Sequence, residues 1–356
     1  MSKIRPLELG DLPQVVDLHD AELGTRTGKA RPGMAAHFDD LFLSGPWVDA
    51  TIPSLIYETD NGRIGGFIGS RVRPMMFRDG PIRLACSGPF VTEPRLRTVA
   101  TLLLRKYLAG AQDLSITDRQ TMASQRLFTT VGGQVAHLQC LRWTHIFQPL
   151  TFKAEHLIRL ESAKWLKPFA EPLARSLDAL TPTVKKRSAR PDLEEEPLTS
   201  RALVDGVRLL APSFQLYPDY SEAFLDWLFG ELQKVKSKGS LQRVLVRDRG
   251  GKVHGWYVYY LKPGGLCEVW QIGALKKSTG TVLDSLFRHA ERSGAAALRG
   301  RVEPFLREPL RHRRCGLHQE ACLLVHARNA DIVSVINSER AMLSFMEGEF
   351  SVNETL

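Results

Sequence analysis

The chain has 356 residues, 43% hydrophobic and 24% charged, a composition that excludes a disordered polymer and leaves room for two domains with separate cores. No apolar run approaches the roughly 18–20 residues of a spanning helix, so no membrane segment is expected. Lys and Arg number 48 against 39 Asp and Glu, a formal charge of +9, which favours an anionic partner such as a nucleotide cofactor, an anionic metabolite or nucleic acid without choosing among them.

Taken in order, Ile4–Leu7 reads as a short strand and Asp11–Glu22 as a helix with Leu12, Val15, Val16 and Leu18 near one side. Ala35–Leu43 forms a second short helix ahead of Pro46. Ser54–Glu58, the turn Asp60-Asn61-Gly62 and Ile64–Val72 make a β-hairpin. Gly65, Gly66 and Gly69 weaken its second strand and point to a bulge or a close backbone approach. Strand Leu84–Val91, helix Val99–Ala109, strand Leu114–Thr117 and helix Met122–Thr130 follow, the last stopped by Gly132-Gly133. Gln134–Phe147 supplies one or two further strands.

Residues 148–200 read as a connector. Phe152–Leu180 has helical periodicity broken by Pro168 and Pro172, and Thr181–Pro197 carries a basic block (Lys185, Lys186, Arg187) and then an acidic one (Glu194, Glu195, Glu196), the composition of a solvated linker. The second half then repeats the order of the first: helices Thr199–Leu210 and Ser221–Val235, hairpin strands Leu241–Arg247 and Val253–Leu261, and strand Cys267–Ile272 with its helix. Strand Ala295–Val302, helix Phe305–Cys315 and strand Leu317–His326 come next, and Ile332–Phe350 closes the chain as a helix with a possible final strand. The expected organisation is therefore a domain over 1–150, a helical connector and linker over 151–197, and a second domain over 198–356.

The most informative feature is a device that occurs twice. A buried strand runs into a basic turn that opens a helix, first at Leu84–Val91, Thr92–Thr98 and Val99–Leu108, then at Leu266–Ile272, Gly273–Gly280 and Thr281–Ala290. Free backbone N–H groups at a helix start, reinforced by the dipole and nearby cations, form a seat for phosphate. The five cysteines (Cys86, Cys140, Cys267, Cys315, Cys322) are scattered without a CxxC pair or a zinc-like His–Cys spacing, so neither a disulfide framework nor a metal site is expected. The N-terminal stretch lacks the apolar middle of a secretory signal, which makes a cytoplasmic protein the expectation.

The doubled element order with a phosphate-type turn after each fourth strand resembles a tandem GNAT protein, of the family of acyl-CoA-dependent N-acyltransferases. The resemblance covers nearly the whole chain apart from the connector. It implies a mixed α/β fold of two GNAT-like domains, each a mostly antiparallel sheet flanked by helices with a splayed central strand pair. The family's turn pattern, Arg/Gln-x-x-Gly-x-Gly/Ala, falls on Arg95-Leu96-Arg97-Thr98-Val99-Ala100, where Arg95 and Ala100 match and Thr98 replaces Gly. It falls again on Lys277-Ser278-Thr279-Gly280-Thr281-Val282, where only Gly280 matches and Lys276 adds a second cation. The resemblance implies acetyl-CoA or another acyl-CoA as co-substrate, with pantetheine between Phe90, Val91 and Thr92 and the next strand in the first half, or beside Gln271, Ile272 and Gly273 in the second.

Acylating an amine requires a proton acceptor, a polarised thioester and a proton for the departing thiolate. Glu93 is the leading carboxylate candidate, followed by Glu268 and Glu303. The Tyr with which the family protonates the thiolate is replaced by Phe128, and Leu310–Gly316 in the second half offers no Tyr. The expectation is one working cleft, the first, with acyl transfer to a small-molecule amine. The alternative is an inactive scaffold that binds acyl-CoA or a partner without turnover. Neither a nucleic-acid nor a membrane partner is expected, and the protein is read as a monomer or homodimer.

Overall fold

A computed structural model describes residues 2–23, 33–78, 80–118, 122–158, 176, 193–320 and 322–348. The linker cations at 185–187 and the end of the tail at 349–356 lie outside the described residues.

The first half opens with β1 (Lys3–Pro6), α1 (Leu12–Glu22) and α2 (Met34–Asp39), the last continued by a π-helical turn over Asp40–Ser44. Then come β2 (Leu55–Glu58), β3 (Ile64–Phe77), β4 (Gly80–Thr92), α3 (Arg97–Leu108), β5 (Leu114–Thr117), α4 (Met122–Thr130), β6 (Gln134–Ala136), β7 (Leu141–Ile146) and α5 (Pro149–Ile158). The β3–β4 ribbon is longer than the sequence suggests. Pro74 and Pro81 read as breakers, yet both sit in register in the ribbon, opposite Arg83 and Met76.

The second half contains β8 (Leu193–Pro197), α6 (Ser200–Leu210), β9 (Leu216–Pro218), α7 (Glu222–Lys234), β10 (Ser240–Asp248), β11 (Val253–Leu261), β12 (Leu266–Ala274) and α8 (Thr279–Arg292). It closes with β13 (Ala297–Arg301), α9 (Arg307–His312), β14 (Gly316–Gln319), β15 (Leu323–Ala327) and α10 (Ala330–Ile336). The acidic block read as linker is β8, an edge strand on β10. Its glutamates face water or cations: Glu195 accepts from Ser285 Oγ at 2.6 Å and Glu196 pairs with Arg247 at 3.3 Å. Charge on an edge strand deters pairing with other chains, which is why the segment looks like a linker in sequence. The tail also departs from expectation, because α10 ends at Ile336 and 337–348 is irregular.

Two mixed sheets result. In each, among the described residues, the one parallel strand pair is the one that follows the phosphate-type strand: β4 with β5 and β12 with β13. The strand orders are β1-β2-β3-β4-β5-β15-β6, with β9 alongside β3, and β14-β7-β13-β12-β11-β10-β8. Each half therefore sends strands into the other's sheet: the first half gives β7, and the second gives β9 and β15. β7 lies between β13 and β14, and β15 lies between β5 and β6. The stretch Leu317–His326, read as one strand, is two, and they belong to different sheets. The 1–150 and 198–356 halves accordingly do not coincide with the two sheets.

Side-chain volume explains the exchange. Trp143 of β7 is fully buried opposite Gly300 of β13, where a Cβ would lie 2.9 Å from the indole. Leu323, Leu324 and Val325 of β15 are buried on both faces of the first sheet, as an inner strand must be. Residues 1–158 produced alone should therefore fail to fold, since β5 and β6 lose the strand between them. Co-expression with 193–356 should restore a single cooperative melt by circular dichroism. A cooperative melt of 1–158 by itself would contradict the exchange.

Candidate functional site

The parallel pair in each sheet parts into a V. In the first sheet β4 pairs with β5 only from Leu84↔Leu114 to Cys86↔Ile116. Beyond Cys86, β4 stays on β3 (Phe90↔Ile68, Val91↔Phe67, Thr92↔Gly66), and among the described residues no strand pairs with its other edge. The apex coincides with a bulge, where the β3–β4 register shifts between Ile68 and Ser70. Gly69 is required there: a Cβ would lie 2.6 Å from the Phe42 ring and 2.7 Å from the Gly88 carbonyl oxygen. Gly88 before Pro89, a pair that in sequence alone marks a strand irregularity, lies where the strands separate.

At the open end of this V stands the start of α3. Arg95 and Thr98 are exposed, Val99 is buried and Ala100 half-buried. Arg97 is the first residue of the helix, and its side chain lies outside the described residues. Val99 and Ala100 N–H both turn back to the Leu96 carbonyl at 2.9 and 3.3 Å. Phe90 and Thr92 are half-buried along the β4 edge, and Val91 is packed into the core under α1 and α2.

The second V is filled. β12 pairs with β13 only from Leu266↔Ala297 to Val269↔Gly300. The next residue, Trp270, accepts through its carbonyl from the N–H of Phe345 at 3.2 Å, so the C-terminal segment occupies the apex. The Phe345 ring lies between the guanidinium carbons of Arg142 and Arg301, at 4.0 and 4.3 Å. Gln271, expected to line a pantetheine channel, instead accepts from Trp256 Nε1 at 2.9 Å and donates to Tyr220 and Ser344 at 2.9 and 3.2 Å. Ile272 and Gly273 are buried, the latter against the Trp256 ring.

The second turn is covered as well. Arg313, following α9, donates to the Gly280 carbonyl at 2.7 Å and to both carboxylate oxygens of Asp284 at 2.8 and 2.9 Å. Gly280 thus leaves space for a guanidinium of the same chain. Lys276 and Lys277 sit in a 3-10 turn, exposed to solvent.

The three candidate carboxylates fall in three different places. Glu93 is held by Arg63 through both oxygens, at 2.7 and 2.9 Å, and by Arg95 at 3.3 Å. It lies six residues along β4 from the apex, roughly 20 Å at strand rise, and next to the helix start rather than to the point where β4 and β5 part. A carboxylate in that position holds Arg63 and Arg95 in place. Proton abstraction at the apex is beyond its reach. Glu268 belongs to the second sheet, where burial opposes ionisation but Lys238 and Arg299 outweigh it and lower its pKa. Glu303 is fully enclosed. Burial, and next the charge of Glu347, push its pKa well above the ordinary carboxyl value.

Several residues at the centre escaped the sequence reading. Asp118, directly after β5, is buried and receives Arg301 at 2.7 Å. Glu347 accepts from the backbone and hydroxyl of Ser344, both at 2.7 Å, and from Tyr220; burial nonetheless raises its pKa. The tail thus runs from Phe345 at the second apex to Gly348, which packs on the Asp118 side chain at the first. Arg71 and Arg73 are buried on β3, Arg73 against Trp47 and Phe224 at 5.0 and 4.8 Å. Their spacing of two, which puts both on one face of a strand, was the signal available in sequence. Nothing periodic marks the tail residues. Phe128, at the position of the family's Tyr, is buried under α3, and Gly133 closes over its ring.

The overall fold is shared with solved structures. The chain superposes on a GCN5-related N-acetyltransferase from Anabaena variabilis with 11% identity and a TM-score of 0.58, over 93% of this chain and 74% of that one. A GCN5-related N-acetyltransferase from Kribbella flavida gives 12% and 0.56, over 93% and 72%. A conserved protein of unknown function from Enterococcus faecalis gives 10% and 0.56, over 92% and 73%. This chain has the GNAT fold. No family model and no curated protein matches its sequence.

Within this GNAT fold two predictions test the closed second V. Phe345→Ala should cost about 3–5 kcal/mol, the range for emptying a buried aromatic site, measured as a lower urea midpoint at unchanged slope. A midpoint within error of wild type would contradict the plug. The second concerns Glu303. The native state holds its proton, while the unfolded chain releases it above about pH 4.3. Stability from this source is complete below that pH and is lost as pH rises toward the folded-state pKa. Glu303→Gln should therefore raise the melting temperature at pH 8.5 relative to wild type and change it little at pH 5; an unaltered pH slope would contradict the assignment.

Proposed function

We propose that the protein is an acyl-CoA-dependent N-acyltransferase that works through the first V alone. The observation that carries this reading is the contrast between the clefts. Among the described residues, the β4 edge from Gly88 to Thr92 has no strand partner on the β5 side, and it leads to a helix start whose sequence carries Arg95 and Arg97, whereas the β12 edge is met by Phe345 and the second turn by Arg313. The exposed strand edge supplies backbone donors and acceptors for the pantetheine amides, and the helix start a seat for diphosphate. Thr98 in place of the usual Gly offers a hydroxyl to a phosphate. We take acetyl-CoA as the donor, a small primary amine as the acceptor, and the second repeat as framework.

One observation favours the scaffold alternative. The thiolate's usual proton donor is here the buried Phe128, so a proton must come from solvent or from another residue.

Acetyl-CoA is expected to raise the melting temperature, since a ligand that binds only the folded state at 100 times its Kd adds about 2.7 kcal/mol. Arg95→Ala with Arg97→Ala should abolish the shift, and Lys276→Ala with Lys277→Ala should leave it intact. Absence of any shift, or the reverse pattern, would defeat the reading.

A further inference from the structure

Among the described residues, Arg71 has no partner that accounts for its placement. Its side chain has no exposed surface, and its Nε and Nη1 make no hydrogen bond. Nη2 has only the Cys86 sulfur, at 3.8 Å. That neighbour fixes its position: Arg71 is paired in register with Cys86, and Cys86↔Ile116 is the last rung before β4 and β5 separate. The guanidinium therefore stands at the apex of the open V, on the face covered by α2, where its charge is felt by His37.

Among the described residues, no acid nearby is free to neutralise it. Asp118 is engaged by Arg301 at 2.7 Å, and Glu231, on α7 near His37, is engaged by Lys234. Burial drives Glu347 and Glu303 toward their uncharged forms. The next residue on the same face, Arg73, adds a second cation, its pKa lowered to about 10 by burial and then by the charge of Arg71. An uncompensated guanidinium in a dry interior is strongly disfavoured unless something supplies the missing negative charge.

We propose that the acceptor amine carries a carboxylate and that Arg71 seats it beside the thioester, making the acceptor a small amino acid. This rests on the acyltransferase reading. We take a carboxylate as the anion: its single negative charge matches the one guanidinium at the apex, since Arg73 is already packed on Trp47 and Phe224. The acceptor enters on the α2 side, past the half-buried His37 and the π-helical turn that carries Phe42 over Gly69. In the reaction the amine nitrogen attacks the thioester carbon, the C–N bond forms and the C–S bond breaks. The amine loses a proton, the thiolate gains one, and N-acyl amino acid and CoA thiol leave.

The test uses the full chain with acetyl-CoA and compares glycine, L-alanine and L-leucine with their carboxamides and with phosphoethanolamine, following products by mass spectrometry. The expected result is a kcat/KM preference for the acids on the order of 10–100-fold, the range of a charge-assisted hydrogen bond. Arg71→Gln should raise KM for the acids by a similar factor with a smaller change in kcat, and Arg71→Lys should recover part of the loss. Arg71→Met should melt at or above the wild-type temperature, because it removes a charge with no partner; an arginine that served only packing would lower it. Carboxamides or phosphoethanolamine used as well as the acids, a preference that survives Arg71→Gln, or a marked loss of stability in Arg71→Met would each overturn the proposal. If nothing is turned over, glycine and L-alanine titrated calorimetrically into CoA-saturated protein decide: binding lost in Arg71→Gln upholds it, and no binding ends it. Failure of acetyl-CoA itself to bind removes the acyltransferase reading together with this one.

Discussion

A strand in the middle of a sheet must pair its backbone groups on both sides, and this chain meets that requirement in each sheet with a strand from its other half. β7 completes the second sheet beside β13, and β15 completes the first beside β5. Because the inserted strands neighbour the parallel pairs, the walls of both Vs depend on the exchange. The segment leaving β15 is then committed to return across the interface, and its continuation past α10 becomes the tail that lies between the two apices. Duplication alone would give two equivalent clefts. The exchange and the tail make them unequal.

The interior between the sheets is unusually polar for a protein core. Arg71, Arg73, Arg142 and Arg301 are all buried there with Asp118, Glu303 and Glu347. Aromatic rings take up part of the cationic load: Phe345 lies between two of these arginines, and Trp47 and Phe224 flank a third. Such a network fixes one arrangement of the tail, because each broken contact would strand a polar group away from water. It also closes the second V. Gln271 and the Trp270 carbonyl, which could have met a cofactor, are satisfied by Ser344, Tyr220 and Phe345.

Much of the fold was legible in residues whose local and global demands agree. The turn Asp60-Asn61-Gly62, the glycines of β3 and the apolar β4 and β12 strands led directly to the hairpins and to the parted pairs. Where local signals pointed elsewhere, the reading slipped. Glu194–Glu196 look solvated because an edge strand is solvated, and Leu317–His326 reads as one strand because Glu320-Ala321-Cys322, between the two strands, carries no Gly or Pro turn signal. The site was legible only in outline. Glu93, nominated for its place at the end of β4, is held by Arg63, a residue 30 positions away that no spacing rule connects to it.

The sequence by itself determined the element order, the two phosphate-type turns and the irregularity at Gly88, since these depend on contacts close along the chain and on backbone chemistry. Which V stays open was decided only by tertiary structure. That outcome turns on Phe345 reaching Trp270 and Arg313 reaching Gly280, while among the described residues Arg71 stands without a carboxylate. Each of these is a long-range meeting, or the lack of one, and such meetings are set by how whole sheets pack and leave no periodic trace in the residues that make them.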